Sequence, residues 1–213
     1  MALTDFDELS KIEKAETESK GSKITSFADW YGEMDLPQEE KEEREELAEK
    51  FLLLFLFYFL MVQMDAESDY KGLLEESYVS IANSFTGENT ASAYVTDRAS
   101  EVARFVDEIT RKHLGEEYYT SRDRGMVLSA NEGNVIGNYR EFVRAVKAGK
   151  KFKVWHSEID RKTRKTHRPL NNKRIGIFEL FQVGKYKMRF PMDTTLGAGV
   201  EEVANCRCTV SYE

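Results

Sequence analysis

Apolar residues fill one twelve-residue stretch of the chain without interruption, and a strongly polar stretch precedes it. Residues 38–50 are helix formers that include seven glutamates, and residues 51–62 are all aliphatic or aromatic. Twelve helical residues rise about 18 Å, whereas the hydrocarbon core of a bilayer is about 30 Å thick. The run also has acidic rather than basic flanks. We therefore predict a core helix that is apolar on all sides and no stable membrane span. The alternative is a partner interface, including a transient membrane contact.

Helical spacing of apolar residues extends over most of the first 148 residues. It predicts three further helices, over residues 70–85, 91–114 and 126–148. The second of these has Asn89 or Thr90 as its predicted N-cap. Residues 1–23 are polar with little helical spacing, and we expect an arm that orders only against a partner.

The spacing changes from helical to alternating after residue 150. The alternation predicts strands over residues 151–155, 175–181, 186–190 and 207–212, with a hairpin connection at residues 182–185. The predicted fold class is α+β, with a helical N-terminal two-thirds followed by a small β-rich C-terminal module. We divide the chain into a helical region over residues 1–89 and a second domain over residues 90–213. The second domain comprises the helices of residues 90–148 and the β-rich module of residues 150–213.

Charge is distributed unevenly along the 213 residues. Residues 1–149 carry 17 basic and 31 acidic side chains, a net charge of −14, whereas residues 150–190 carry 13 and 3, a net charge of +10. The net charge of −7 for the whole chain argues against a nucleic-acid binder. The basic segment nevertheless predicts a surface that faces a polyanion or an acidic partner. A basic loop that docks on the protein's own acidic helices explains the same pattern.

Seven basic side chains form the densest part of this segment, which we call the basic crest. They are the candidates for nucleic-acid or partner binding: Arg161, Lys162, Arg164, Lys165, Arg168, Lys173 and Arg174. Arginine suits bidentate phosphate contacts and lysine suits looser ones. No aromatic residues are interleaved to stack on single-stranded bases. The crest therefore predicts duplex contact without sequence preference, or docking on an acidic protein; a solvated loop is the alternative.

Both cysteines lie near the C-terminus, one residue apart. On a strand, Cys206 and Cys208 would face the same side about 6.6–6.8 Å apart, at the edge of disulfide reach, with Arg207 on the opposite face. His167 and Asp160 would complete a Cys₂-His-Asp set of zinc ligands by type. No second cysteine pair or close histidine pair supports such a site. Buried apolar cysteines are therefore favoured, and we predict no cofactor, with zinc as the alternative.

Asp160 and His167 also invite an acid–base interpretation, because histidine is the residue most often used in that role. No serine or cysteine nucleophile stands beside them in a recognisable local context. A polar network is therefore favoured, in which Asp160 caps the turn after the Trp155 strand and holds Arg161, Arg164 or His167. No catalytic residue is predicted.

The N-terminus carries no targeting signal that the sequence reveals. The first eight residues are acidic and lack an apolar segment, so we expect no signal peptide. Two cysteines do not make a disulfide framework. Synthesis in a reducing, cytosolic compartment is therefore expected.

Several C-terminal motifs occur in a distinctive order. They are Trp155, Asp160, Arg164 and His167, then Phe190-Pro191-Met192-Asp193, then Asn205-Cys206-Arg207-Cys208. This order resembles the phage head-morphogenesis family, the minor head proteins similar to protein F of phage Mu. The preceding helix is similar too, with Ser129-Ala130-Asn131-Glu132 and Asn138 at positions where that family has a small-residue, Glu and Asn pattern. The resemblance covers about residues 90–213.

The chain departs from the family at two places. Met192 stands where glycine is common in the family, and Asn171-Asn172 replaces the Asp/Asn-Gly turn expected after Leu170. The chain ends five residues after Cys208, so we expect no toxin or enzyme domain to follow.

The resemblance implies a minor component of the virion of a tailed bacteriophage. Such a protein is present in few copies and acts at the portal or inside the head, in assembly, DNA packaging or DNA delivery. The implied partners are the portal protein, other head proteins and packaged double-stranded DNA, and the implied locations are the head and the bacterial host cytoplasm during assembly. No established enzymatic activity is implied. The family motifs are expected to form the polar skeleton of one compact fold: Trp155, Asp160, Arg164, His167, Pro191, Asp193, Asn205, Cys206, Arg207 and Cys208.

Two other functions are compatible with the residues. The first is a small nuclease or metal-dependent hydrolase centred on Asp160, His167, Cys206 and Cys208. The second is a membrane-active protein that uses residues 51–62.

Overall fold

A computed structural model of the chain describes residues 24–87 and 92–213. The arm predicted over residues 1–23 and the predicted caps Asn89 and Thr90 lie outside the described residues. The helix that was to follow those caps begins at Ala93. Its N-cap is Ser92, whose Oγ accepts a hydrogen bond from the backbone N–H of Val95 at 3.3 Å.

Six α-helices and five strands account for the described fold. The helices are α1 (Phe27–Gly32), α2 (Gln38–Met64), α3 (Lys71–Thr86), α4 (Ala93–Lys112), α5 (Arg122–Lys147) and α6 (Val200–Val203). Two short 3₁₀ helices span Glu117–Thr120 and Arg168–Leu170. The strands are β1 (Phe152–His156), β2 (Lys173–Gly176), β3 (Phe181–Val183), β4 (Tyr186–Met188) and β5 (Thr209–Tyr212).

The acidic stretch and the apolar run form one helix, α2, at the centre of the helical layer. Seven of the twelve residues from 51 to 62 are buried, and they pack against α3, α4 and α5. The prediction of a core helix is confirmed, and the helix buries only part of its apolar surface. Leu53, Phe57 and Leu60 are exposed and share one face with Met64. Length and composition would let α2 cross a bilayer, and the buried face is the arrangement expected of a core helix.

Helix α5 crosses α2 closely, and two glycines make this possible. A Cβ on Gly133 would lie 2.3 Å from Tyr31 Oη and 3.3 Å from the backbone oxygen of Arg44. On Gly137 it would lie 2.7 Å from Cζ of Arg44. The buried guanidinium of Arg44 occupies the space left by these glycines and donates to the side chain of Asn138 at 3.1 Å. The close approach therefore explains two glycines inside a long helix, where they are otherwise unfavourable.

Gly133→Ala is expected to destabilise the protein by about 1–2 kcal/mol. In a helix interior, alanine is more favourable than glycine by about 1 kcal/mol of folding free energy. Overpacking of the added methyl group against backbone costs about 1–3 kcal/mol. Displacing Tyr31 also weakens its hydrogen bond to the carbonyl of Ala130, now 2.9 Å long. Urea unfolding followed by circular dichroism measures the difference.

Gly72→Ala in α3 is the matched control, because a Cβ there meets nothing within 4 Å. It is expected to leave stability unchanged or to raise it by up to about 1 kcal/mol. Equal stabilisation in both variants would contradict the close contact between α2 and α5.

The β-rich module contains two small antiparallel sheets. In the first, β1 lies between β2 and β5, with Trp155 opposite Lys173 and Val210. In the second, β3 and β4 form a hairpin in which Val183 pairs with Tyr186. The predicted strand over residues 175–181 is wrong, because a turn separates β2 from β3. The last strand begins at Thr209 rather than at Arg207.

The α+β fold class is confirmed, with helices in the N-terminal two-thirds and the strands at the C-terminal end. One core cluster includes residues from Leu47 to Cys208 and so joins the helices to the β-rich module. The division at residues 89 and 90 stays a prediction.

Candidate functional site

Three asparagines on one face of α5 hold the C-terminal loops in place. Asn131 Nδ2 donates to Asn205 Oδ1 at 3.0 Å, and its Oδ1 accepts from the backbone N–H of Asn205 at 2.9 Å. One turn further, Asn134 donates to the carbonyl of Cys206 at 2.8 Å. Asn138 donates to the carbonyl of Pro191 at 3.0 Å. These bonds satisfy backbone groups that no strand serves, so α5 is the element that positions both motif loops.

The Phe190-Pro191-Met192-Asp193 loop is closed by a buried ion pair. Asp193 accepts from Nε of Arg189 at 2.7 Å and from the hydroxyl of Thr195 at 2.5 Å. Burial raises the pKa of Asp193, but the hydrogen bonds from Arg189 and Thr195 lower it by more, so the net shift is downward. The fully buried ring of Phe190 lies against Tyr94 and Phe142, with centroids 5.7 and 5.6 Å away. The loop thereby fixes the β-rich module on α4 and α5.

His167 and the two cysteines come together in the interior, where the loop after β1 meets the segment before β5. The Nδ1 of His167 lies 3.3 Å from Sγ of Cys208 and 3.6 Å from Sγ of Cys206. Its other ring nitrogen, Nε2, lies 3.1 Å from a carboxylate oxygen of the buried Glu202. Both cysteines are free and buried. The structure thus places a thiol beside the histidine, which local sequence context did not reveal.

The two thiols have opposite electrostatic environments. A hydrogen bond from Cys208, opposed by burial, and the contact with His167 hold the pKa of Cys206 well below its usual range. The hydrogen bond to Cys206 and burial raise the pKa of Cys208. Burial lowers the pKa of His167, but the contact with Cys206 raises it by more.

Asp160 lies outside this cluster. It accepts from the backbone N–H of Lys162 at 2.8 Å and from Thr163 Oγ1 at 3.0 Å, which confirms the predicted turn cap. Its ion-pair partner is Arg207, so the predicted pairing with Arg161, Arg164 or His167 is wrong. Burial raises the pKa of Asp160, but the bond from Arg207 leads the contacts that lower it overall. Asp160 therefore does not lie with the possible metal ligands, and the alternative Cys₂-His-Asp set is reduced to Cys₂-His among the described residues.

Arg207 binds other partners than the two cysteines beside it. Besides Asp160, it binds a carboxylate oxygen of Glu33 at 2.6 Å. The predicted strand does not include these three residues, because Cys206, Arg207 and Cys208 precede β5. The placement of Arg207 on the opposite face stays a prediction. The pair ties the β-rich module to the loop after α1.

The basic crest divides into two groups. Arg164 donates to the carbonyls of Glu201 and Ala204, Arg168 donates to that of Thr163, and Arg174 pairs with Glu213. These three arginines therefore serve the protein's own structure. The other four have exposed side chains that make no hydrogen bond or ion pair to any described residue: Arg161, Lys162, Lys165 and Lys173. For these four, the predicted binding of DNA or a partner stays a prediction.

Three non-glycine residues in the described chain have left-handed backbone conformations. They are Asn172 with φ of 62°, Met192 with φ of 67° and Asn205 with φ of 50°. Asparagine tolerates this region, whereas a methionine there is unusual. The buried Met192 side chain, which lies 3.2 Å from Nδ2 of Asn134, compensates for the cost of this conformation.

Sequence reasoning missed three residues of the site: Ser157, Glu202 and Asn134. Ser157 Oγ accepts from the indole of Trp155 at 3.0 Å and donates to the carbonyl of His167 at 2.9 Å. Asn134 had a detectable signal, since it shares a helical face with Asn131 and Asn138. Glu202 had none, because its partner lies 35 residues away.

A pocket of about 450 Å³ opens over the cluster. Its wall includes His167, Cys206 and Cys208, together with Trp30 of α1 and Lys162 of the basic crest.

No protein-family model, no curated protein sequence and no solved structure matches this chain.

Proposed function

We propose that this chain is a minor head protein of a tailed bacteriophage, acting at the portal or inside the head in assembly, DNA packaging or DNA delivery. The proposal starts from the order of the motifs between Trp155 and Cys208. The observation that carries the proposal is the backbone φ angle at the two positions where the chain departs from the family. Asn172 and Met192 stand where the family has glycine, and both have φ near +65°. Glycine is the residue favoured at such φ values. The family therefore has glycine at positions where the backbone of this chain has the positive φ that favours glycine.

A second observation supports the proposal. Two of the three C-terminal motifs lie against one face of α5, where Asn131 binds Asn205 and Asn138 binds the carbonyl of Pro191. The motif that begins at Trp155 joins them through His167, whose Nδ1 lies 3.3 Å from Sγ of Cys208. Asn131 and Asn138 belong to the helical part of the resemblance. The motifs thus form one structural unit, as expected of a shared domain.

The assembly role is tested in particles of the phage that encodes the chain. Procapsids and virions are purified, and the chain is quantified by mass spectrometry relative to the portal protein. We expect a few copies per particle and co-purification with the portal. Absence of the chain from both kinds of particle would overturn the proposal.

Double-stranded DNA is the proposed partner of the four exposed cations of the basic crest. If all four contact phosphates, affinity should fall about 100-fold between 50 and 200 mM salt. Replacing Arg161, Lys162, Lys165 and Lys173 with alanine is expected to abolish most of this salt dependence. Fluorescence anisotropy with a duplex of mixed sequence provides the measurement.

The matched control removes four exposed cations from the helical body: Lys50, Lys71, Arg122 and Lys147. It makes the same change in net charge and should bind duplex as the wild type does. Equal losses in the two variants would assign binding to overall charge. Binding that does not change with salt in the wild type would remove DNA from the proposal and leave the portal role standing.

A metal-dependent hydrolase or nuclease is the second candidate, because His167, Cys206 and Cys208 converge beside a pocket. It predicts cleavage of DNA or RNA that requires metal and is lost in His167→Ala. We expect no cleavage, since the family resemblance implies none. Cleavage that survives purification and disappears in this variant would replace the head-protein proposal with an enzymatic one.

A further inference from the structure

Three atoms of the kinds that bind zinc face one another in the interior. They are Sγ of Cys206, Sγ of Cys208 and Nδ1 of His167, all within 4.8 Å of one another. Zn–S bonds of about 2.3 Å and Zn–N bonds of about 2.05 Å place S and N about 3.6 Å apart in a tetrahedral site. The observed N–S distances of 3.3 and 3.6 Å fit this edge. A metal ion therefore requires only small movements of these side chains.

The histidine is oriented as a metal ligand is. Its Nε2 faces the carboxylate of Glu202, which also accepts from Thr166 Oγ1 at 2.6 Å. With the Nε2 proton donated to Glu202, Nδ1 carries the lone pair and lies 3.3 Å and 3.6 Å from the two sulfurs. A carboxylate that holds the far nitrogen of a metal-bound histidine is the usual second layer of protein metal sites. Glu202 is 6% exposed, so its burial is explained by this role.

Both Sγ atoms lie near the same imidazole nitrogen, Nδ1 of His167. This arrangement differs from a single thiol–imidazole hydrogen bond. A neutral Nδ1 has one lone pair and accepts a good hydrogen bond from only one of the two thiols, so hydrogen bonding alone does not explain why both thiols lie beside it. Two thiolates balance the charge of one divalent cation, whereas two buried thiolates without a cation repel each other. The Cys₂-His set is therefore a better match to zinc, or to another divalent ion that prefers sulfur, than to Mg²⁺ or Ca²⁺.

The fourth ligand position is not supplied by the described side chains. Ser157 Oγ is bound to Trp155 and to the carbonyl of His167, and Asp160 is paired with Arg207. All three ligands line the pocket of about 450 Å³. A water molecule or a ligand from outside the cluster can therefore complete a tetrahedron from the pocket side.

We propose that Cys206, Cys208 and His167 bind one zinc ion, with Glu202 as the carboxylate that orients His167 and with the fourth position open to the pocket. Binding replaces the two thiol protons, which pass to solvent. The ion links the loop after β1 to the segment before β5. This zinc site goes beyond the proposed head function, and the proposal of the site does not depend on that function.

The first test uses the full chain, purified under reducing conditions without chelator. Elemental analysis is expected to find about one zinc per chain. Reconstitution with Co²⁺ alone should give thiolate-to-cobalt charge-transfer bands and the visible absorption of a tetrahedral ion. Zinc should also slow the reaction of the two thiols with a disulfide reagent. Absence of zinc, of the cobalt bands and of thiol protection would overturn the proposal.

The second test compares variants. Cys206→Ser, Cys208→Ser and His167→Gln should each abolish the cobalt charge-transfer bands or weaken metal binding by at least about 100-fold. Glu202→Gln should weaken it about 10- to 100-fold without abolishing it, since second-layer carboxylates have effects of this size. Glu202→Gln retains all three ligands, so it keeps the test valid if a ligand variant fails to fold.

His156→Gln is the matched control, because His156 lies nearby on β1 but binds Ser211 at 2.7 Å instead of the cysteines. Its metal affinity should equal that of the wild type. Unchanged affinity in the Cys206, Cys208 and His167 variants would place the metal elsewhere and contradict the site. None of these outcomes alters the particle test, so the metal site and the head function fail or stand separately.

Discussion

Trp155→Ala is expected to lower the free energy of unfolding by about 3–5 kcal/mol, the range for truncating a large buried aromatic side chain. Trp155 lies on β1, the central strand of its sheet, and is fully buried. Its ring centroid is 5.0 Å from that of Phe181 and 5.8 Å from that of His167. Alanine would leave a cavity between the two sheets and would remove the donor that Ser157 accepts from. The loss should also weaken any metal binding by His167, because the indole edge supports that ring.

Phe152→Ala is the matched control for this prediction. Phe152 lies on the same strand but is 38% exposed, and its ring stacks on the guanidinium of Arg174. Its truncation is expected to cost about 1 kcal/mol or less. Urea unfolding is followed by far-ultraviolet circular dichroism, since the first variant removes one of the two tryptophans. Similar costs for the two variants would show that Trp155 does not anchor the module.

The sequence was most informative where one periodicity ran over many residues. The apolar face of α4 and the long pattern of α5 are visible because burial repeats every three or four positions. The apolar run in α2 left one point open. A run without polar residues hides which face is buried, so the exposed Leu53, Phe57 and Leu60 could not be told from their buried neighbours. The short strands were harder, since β2 and β3 are each only three or four residues long.

The site was predictable where it depends on local geometry. Residues i and i+2 of an extended segment point to the same side, which placed Cys206 and Cys208 together. Contacts across the fold were not predictable in the same way. Their partners depend on the pairing of β1 with β5, which brings His167 to a cysteine 41 residues away. The pairing of β1 with β5 also brings Arg207 close to Asp160. The sequence alone favoured Arg161 and Arg164, which are nearer to Asp160 along the chain.

Asp193→Asn is expected to destabilise the protein by about 3 kcal/mol at neutral pH. The carboxylate is fully buried, and Arg189 is 30% exposed. Removing one partner of a fully buried ion pair costs about 3–5 kcal/mol, because the remaining charge loses its compensation. The partial exposure of Arg189 puts the expected cost at the lower end of this range. The amide keeps one acceptor for Thr195 but presents N–H groups toward the guanidinium of Arg189. The Phe190 loop should therefore loosen from α4 and α5. The control is Asp35→Asn, since Asp35 is 75% exposed, and it should change stability by less than about 0.5 kcal/mol.

The cost of Asp193→Asn should also depend on pH in one direction. The folded-state pKa of Asp193 lies below its usual value, because the bonds from Arg189 and Thr195 outweigh the effect of burial. Its contribution to stability is therefore complete above the unfolded-state pKa of about 3.9 and is lost as the pH falls through the lower folded-state pKa. The gap in unfolding free energy between wild type and variant should be constant from pH 7 to about pH 5 and should shrink in more acidic buffer. A gap that widens on acidification would mean that the buried carboxyl is protonated in the folded protein. The ion pair with Arg189 would then not be what closes the loop.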